Sequence, residues 1–178
     1  MSRILVLTGS PRKNGNTDRL AASFAKGAGE HNEVEIVSAA DLAVHPCTGC
    51  NSCLRREGNA CIQEDGMALL YRKLRETDVL IVASPVYFYG VSAQLKAVVD
   101  RLHTPLRNSF PIRKLGLILV GAAELPELFD AILVQYELIL RFFHLEDAGR
   151  VLVRGAKDKG DVTEEDLRRA YVLGRSIT

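Results

Sequence analysis

Residues 3–17 read Arg3-Ile4-Leu5-Val6-Leu7-Thr8-Gly9-Ser10-Pro11-Arg12-Lys13-Asn14-Gly15-Asn16-Thr17. A continuous apolar run opens into a loop of Gly, Ser and Asn and then into a helical pattern. That is the order in which a buried parallel strand delivers an anion to a helix N-terminus. Ser10, Asn16 and Thr17 offer side-chain hydrogen bonds beside unpaired backbone N–H groups, and Arg12 or Lys13 adds positive charge where the helix dipole already favours an anion. Gly9 and Gly15 let the backbone turn closely. Two better-known phosphate loops do not fit. Five residues separate Gly9 from Gly15 and Asn16 stands where a P-loop carries Lys, and the dinucleotide fingerprint is absent. Taken alone, the stretch reads equally well as a plain strand-to-helix turn with an N-cap.

The chain has 178 residues, enough for one domain that buries roughly 70% of its unfolded surface. Neither a linker nor an internal repeat is visible. Lys and Arg number 23 against 22 Asp and Glu, a balance without the basic footprint of a nucleic-acid or anionic-membrane binder. No apolar run approaches the length of a membrane span, and the N-terminus begins a core strand almost at once, so the expected location is the cytoplasm. That compartment is reducing, which turns the four cysteines away from structural disulfides and towards metal or redox chemistry.

Beyond the first loop, Leu20, Ala21, Phe24, Ala25 and Ala28 recur at helical spacing and predict a helix over Thr17–Gly29. Val34, Ile36 and Val37 alternate with Glu33 and Glu35 as in a half-exposed edge strand. Residues 79–83 and 115–120 are unbroken apolar runs, the signature of interior parallel strands, and Val151-Leu152-Val153 reads as a fifth, edge strand. Helical patterns occupy about Glu64–Thr77, Ser92–His103 and Pro126–Phe143, and Thr163 with Asp166 predicts a capping box opening a last helix to about Arg175. The expected architecture is an α/β doubly wound five-stranded parallel sheet of order 2-1-3-4-5, helices on both faces. In that order the loops leaving strands one and three meet at a switch point, which favours the phosphate reading of the first loop. A receiver domain shares the order but needs carboxylates for Mg²⁺ where this chain has Thr8-Gly9-Ser10 and Ser84-Pro85.

Gly9-Ser10-Pro11-Arg12 with Gly15-Asn16-Thr17, then Ser84-Pro85-Val86-Tyr87, and Gln94-Leu95-Lys96 with Asp100-Arg101 resemble the flavodoxin-like NADPH-dependent FMN reductase superfamily over nearly the whole chain. The resemblance implies FMN as cofactor. Ser10, Arg12, Asn16 and Thr17 would hold its phosphate, Pro85, Val86, Tyr87, Phe88, Tyr89 and Gly90 would line the isoalloxazine, and Gly121 and Ala122 would form the other wall. Tyr87, Phe88 and Tyr89 can supply the flat contact a flavin needs, although an aromatic run after a buried strand is also what a core contains. No nucleophile, general base or triad is evident, and none is required when a cofactor carries the electrons.

Cys47, Cys50, Cys53 and Cys61 form C-x₂-C-x₂-C-x₇-C within a cysteine-rich loop at about 46–62 and exhaust the cysteines of the chain. Three thiols at this spacing can face three corners of an iron–sulfur cube, with the fourth arriving after a short excursion. The pattern resembles the iron–sulfur flavoprotein branch of the same superfamily, which implies a 4Fe-4S cluster. A zinc site and free thiols remain alternatives. Asp65 reads as a complement to the next helix dipole, Asp100 and Arg101 as helix-end residues, and His45 and His144 as surface or packing residues. Residues 103–114 form an aperiodic loop suited to capping a flavin or meeting a neighbour, and 155–161 a polar, flexible one. The helix from about Leu128 to Phe143 is too apolar all round for one buried stripe, so a homodimer or homotetramer is expected.

The resulting expectation is an FMN-binding oxidoreductase or electron-transfer flavoprotein exchanging electrons with small-molecule or redox-protein donors and acceptors. The alternatives are an NAD(P)H-dependent FMN or quinone reductase without a cluster and a non-catalytic flavodoxin-type carrier.

Overall fold

A computed structural model describes residues 1–178 as β1 (Arg3–Thr8), α1 (Asn16–Ala28), β2 (Glu33–Ser38), α2 (Ser52–Arg55), α3 (Met67–Leu74), β3 (Val79–Tyr87), β4 (Gly90–Val91), α4 (Ala93–Leu102), β5 (Lys114–Val120), α5 (Asp130–Phe143), β6 (Glu146–Val153) and α6 (Glu164–Arg175). The sheet runs β2-β1-β3-β5-β6, all parallel, and β4 is a two-residue antiparallel partner at the end of β3. Counted without that hairpin, this is the expected 2-1-3-4-5 order.

Strand alternation divides the core into two layers. Leu5, Leu7, Leu80, Leu117 and Leu119 face α3, α4 and α5, whereas Ile4, Val6, Ile81, Ile118 and Val151 face α1 and α6. The interior positions of β1, β3 and β5 are thus claimed by one helical layer or the other. These strands can therefore present functional groups only at their ends.

Several boundaries differ from the sequence reading, and β3 runs on to Tyr87, four residues beyond its apolar run at 79–83. The last strand begins at Glu146, five residues earlier than its apolar core, because it is an edge strand whose first residues face solvent and whose pairing with β5 carries a bulge between Leu115 and Leu117. Helix α3 begins at Met67 rather than Glu64, since the Asp65 carboxylate accepts from the Met67 amide and holds the preceding residues outside the helix. Helix α5 starts at Asp130, after a turn in which the Leu128 amide bonds to the Leu125 carbonyl. The last helix has the expected capping box, Thr163 and Asp166 exchanging side-chain-to-amide bonds of 3.2 and 3.0 Å.

Helices α1 and α6 cross with their backbones in contact. A Cβ on Gly27 would stand 2.1 Å from the Tyr171 carbonyl oxygen, and one on Gly174 the same distance from that of Phe24. Each glycine costs its helix about 1 kcal/mol relative to alanine, so the close approach outweighs propensity here. Gly174→Ala is therefore expected to destabilise the fold by about 1–3 kcal/mol, read as a lowered thermal midpoint. An unchanged midpoint would mean that the crossing relaxes freely.

Candidate functional site at the carboxyl edge

The loop leaving β1 and the end of β3 meet at the carboxyl edge of the sheet, around a pocket of about 150 Å³. Ser10, Arg12, Asn16, Thr17, Pro85, Val86, Tyr87 and Ala122 all line it, joined by Lys13 and Gly15 of the same loop. Gly121 is buried beneath Ala122, and Phe88, Tyr89 and Gly90 lie outside the lining. Four lining residues were not anticipated, namely Val120, Ala156, Lys157 and Lys159.

Helix α1 starts at this pocket with Gly15 extended and no side-chain cap, so its first amides are open to a ligand. Thr17 is only 3% exposed, lines the pocket, and its hydroxyl has no partner in the chain. Ser10 is already engaged, donating to the Arg12 carbonyl at 2.9 Å and accepting from the Arg12 amide at 3.2 Å, which closes the loop on itself. The Asn16 amide group is also committed elsewhere, donating to the Asp158 carbonyl at 2.8 Å and accepting from the Gly160 amide at 3.0 Å. Its expected contact with a phosphate is thereby reduced to its backbone N–H. Burial pushes the Asp18 carboxyl above its ordinary value, against the pull of the Asn14 and Gly15 amides.

Two fully buried serines bolt the loops together. Ser92 caps α4 by accepting from the Leu95 amide and donates its hydroxyl to the Gly9 carbonyl at 2.5 Å. Ser84 accepts from the Ser92 amide at 3.1 Å and donates to the Pro85 carbonyl. Gly9 is required by this contact, since a Cβ there would lie 2.7 Å from that of Leu95 and 2.8 Å from the Ser92 hydroxyl. A serine opening a helix was legible in the sequence, but its reach to Gly9 was not.

The aromatic run is not core. Phe88 and Tyr89 occupy the two turn positions between β3 and β4 with φ of +48° and +63°, the backbone of a hairpin turn that ordinarily takes Asn-Gly. Phe88 is 97% exposed, Tyr87 and Tyr89 are about half exposed, and the rings of Phe88 and Tyr89 meet edge to face. Holding two aromatic residues left-handed costs about 1–2 kcal/mol each. Residues 103–114, expected to cap a flavin or meet a neighbour, contribute His103, Arg107, Phe110 and Ile112 to an apolar pocket of about 560 Å³ against α5, where Phe110 stacks on Tyr71.

The cysteine loop also leaves the carboxyl edge, after β2. Its four thiols are free, with Cys47 and Cys50 exposed and Cys53 and Cys61 half-buried. No three His, Cys, Asp or Glu side chains are gathered closely enough to hold a metal ion. The Cys50 thiol is pulled down to about 7 by hydrogen bonds from the Ser52 hydroxyl and amide and the Thr48 hydroxyl. The Gln63 amide points at the Cys61 sulfur at 3.5 Å, and Asn59 donates to the Cys53 carbonyl at 2.9 Å.

What closes the base of this loop is a buried ion pair that the sequence reading treated as two unrelated helix-end residues. The Arg101 guanidinium and Asp65 carboxylate bond directly, with side chains 3% and 2% exposed. Asp65 also accepts from the His45 amide at 2.9 Å, and Arg101 donates to the His45 carbonyl at 3.2 Å. Gln63 reaches the Pro46 carbonyl from the other end. Burial works against the Asp65 carboxylate, but the His45 amide, Arg101 and the Met67 amide outweigh it and hold its pKa below the ordinary value. Burial likewise pushes the neighbouring Tyr71 hydroxyl, which donates to the Arg101 carbonyl, up to about 12.

Asp65→Asn leaves Arg101 buried without its counter-charge and is expected to destabilise the fold by about 3–5 kcal/mol in urea titrations at pH 7. A depressed carboxylate contributes stability above its unfolded value of about 3.9 and loses it as the pH falls through the lower folded value. The gap between wild type and variant is thus expected to narrow below about pH 4. A gap independent of pH would refute the electrostatic account.

This sheet order, with two loops converging at the switch point between β1 and β3, defines a flavodoxin-like α/β protein. Residues 2–125 match the NADPH-dependent FMN reductase family, and the chain belongs to it. It is 42% identical over 124 residues to an iron–sulfur flavoprotein of Methanocaldococcus jannaschii, a match covering 68% of this chain and 63% of that one. It is 32% identical over 178 residues to an iron–sulfur flavoprotein of Archaeoglobus fulgidus, covering 96% and 76% respectively. The match thus spans less than two thirds of the first relative's length. In fold it is similar to an NAD(P)H:quinone oxidoreductase from Methanothermobacter marburgensis, with a TM-score of 0.78 at 14% identity over 99% of both chains.

Proposed function

We propose that the chain is a flavin-dependent oxidoreductase that holds FMN at the carboxyl edge, its phosphate on the first turn of α1 and its ring along Pro85–Gly90. One observation carries this reading. The uncapped start of α1, the unpartnered hydroxyl of buried Thr17 and the end of β3 share a single pocket. The open amides and Arg12 suit a phosphate ester, and the exposed aromatic hairpin beside Ala122 suits a flat ring. Bound FMN supplies the electron chemistry. The chain's part is to orient it, with Gly9, Ser84 and Ser92 fixing the spacing between the two loops. Thr17→Val is expected to weaken FMN binding by about 1–3 kcal/mol, measured by quenching of flavin fluorescence. Unchanged affinity would put the phosphate elsewhere.

Within this reading, Cys47, Cys50, Cys53 and Cys61 are the ligands of one 4Fe-4S cluster. The donor set supports it, as four free thiols are carried by one loop and soft thiolates suit such clusters. Gly49 and Gly58, left-handed and surrounded by open space, are the points at which the loop can turn to gather them. The relatives named as iron–sulfur flavoproteins argue the same way. Anaerobic purification with iron and sulfide analysis is expected to find four irons per chain, lost in Cys50→Ala while FMN is retained. Stoichiometric zinc, or no metal after reconstitution, would favour the cluster-free NAD(P)H-dependent FMN or quinone reductase. Absence of any NAD(P)H turnover would then favour a carrier.

The chain is further proposed to work as a homodimer or homotetramer. Val134, Leu138 and Phe142 stand exposed four residues apart on α5, beside the apolar pocket that Leu138 and Phe142 line. Leu138→Asp is expected to shift the species seen by light scattering towards the monomer. A wild type already monomeric at micromolar concentration would remove this part of the proposal.

A further inference from the structure

The loop 155–161 follows β6 and lies outside the family-matched residues 2–125. Its sequence predicts a flexible connection, but the structure clamps it against the start of α1. Asn16 holds it through the carbonyl of Asp158 and the amide of Gly160. Arg19 donates to the carbonyls of Gly160 and Val162 at 3.3 and 3.4 Å, and Arg12 to that of Lys157 at 3.4 Å. The Ala156 amide bonds to the Gly121 carbonyl at 3.0 Å, tying the loop's other end to β5. Internally, the Asp161 carboxylate accepts from the amides of Lys157 and Asp158 at 2.9 and 2.6 Å. The loop is therefore a built wall of the pocket rather than a strand crossing its mouth.

The charges on that wall are free. Lys13 is neutralised by Asp41, whereas Lys157 and Lys159 line the pocket without an ion-pair partner. They share the lining of this pocket of about 150 Å³ with the uncapped start of α1 and with Thr17. Two unpaired ammonium groups opposite a helix N-terminus leave a surplus of positive charge that a neutral ligand cannot balance and a phosphate dianion can.

We propose that Lys157 and Lys159 form a second phosphate-binding arm, held in place by Asn16, that selects the phosphorylated flavin over the unphosphorylated one. The proposal rests on the FMN reading above and adds to it a contribution from outside the family-matched region. Asn16 is then a positioning residue, its side-chain amide committed to the backbone of the loop that carries the two lysines.

The test titrates the full chain with FMN and with riboflavin at low and high salt, following flavin fluorescence. Lys157→Gln with Lys159→Gln is expected to weaken FMN on the order of tenfold at low salt and to flatten its salt dependence, leaving riboflavin affinity unchanged. Lys114→Gln, the same charge removed at the amino edge, is expected to change neither. Asn16→Ala is expected to weaken FMN and to speed tryptic cleavage after Lys157 and Lys159 in the flavin-free chain. Equal FMN affinity and salt slope in wild type and double variant would overturn the inference while leaving the FMN site standing. A wild type that binds neither flavin would overturn the FMN reading and this inference with it.

Discussion

The hydroxyl of Ser92 donating to the carbonyl of Gly9 is the contact on which the arrangement of the carboxyl edge depends. Ser92 is at once the cap of α4, the partner of Ser84 at the end of β3 and the neighbour that leaves no room for a side chain at position 9. The loop after β1 is thereby held at one spacing from the end of β3 and the start of α4, with 83 residues between Gly9 and Ser92. All the donors and acceptors involved are buried, and an unmatched buried polar group costs about 1–3 kcal/mol, so the loops cannot drift apart without a substantial penalty. A cofactor pocket built on loops acquires in this way the rigidity of the strands beneath it.

A different physical device serves the cysteine loop. Residues 46–62 have few apolar groups to bury, so the loop cannot be anchored by core packing. The Asp65–Arg101 pair, joined to both backbone groups of His45, closes the loop at its base instead. The guanidinium Nε has no partner among the protein atoms, which leaves a buried donor under the loop that carries all four thiols. Of the thiols above it, Cys47 and Cys50 are exposed and Cys53 and Cys61 half-buried.

The two halves of the candidate cofactor site have opposite local energetics. On the α1 side, the helix start has no side-chain cap and the hydroxyl of Thr17, which lines the pocket, has no partner within the chain. On the β3 side, Phe88 and Tyr89 are held in a left-handed turn with their rings in solvent. Both are local departures from the most stable arrangement. Elsewhere in the sheet the interior residues of β1, β3 and β5 pack against one helical layer or the other, so the departures are confined to the strand ends.

The strand runs, their order and the convergence of the first and third loops were legible in the sequence, because apolar period and length are set by burial on one or two faces. So was the capping box at Thr163, which needs only residues three apart. The early residues of β6 were hidden, since an edge strand with a bulge and polar side chains shows no apolar run. Asn16, Lys157 and Lys159 could not be related by any local pattern, because 142 residues separate Asn16 from the Asp158 it holds and the packing of α6 against both α1 and β6 brings the loop to the helix start. The pairing of Asp65 with Arg101 was invisible for the same reason. By itself the sequence determined which segments are buried, where the chain turns and which residue types are available at the strand ends. Which of those residues meet, which spend their hydrogen bonds on one another and which are left free for a ligand was decided by tertiary structure, because hydrogen bonds and ion pairs depend on distances that local periodicity does not encode.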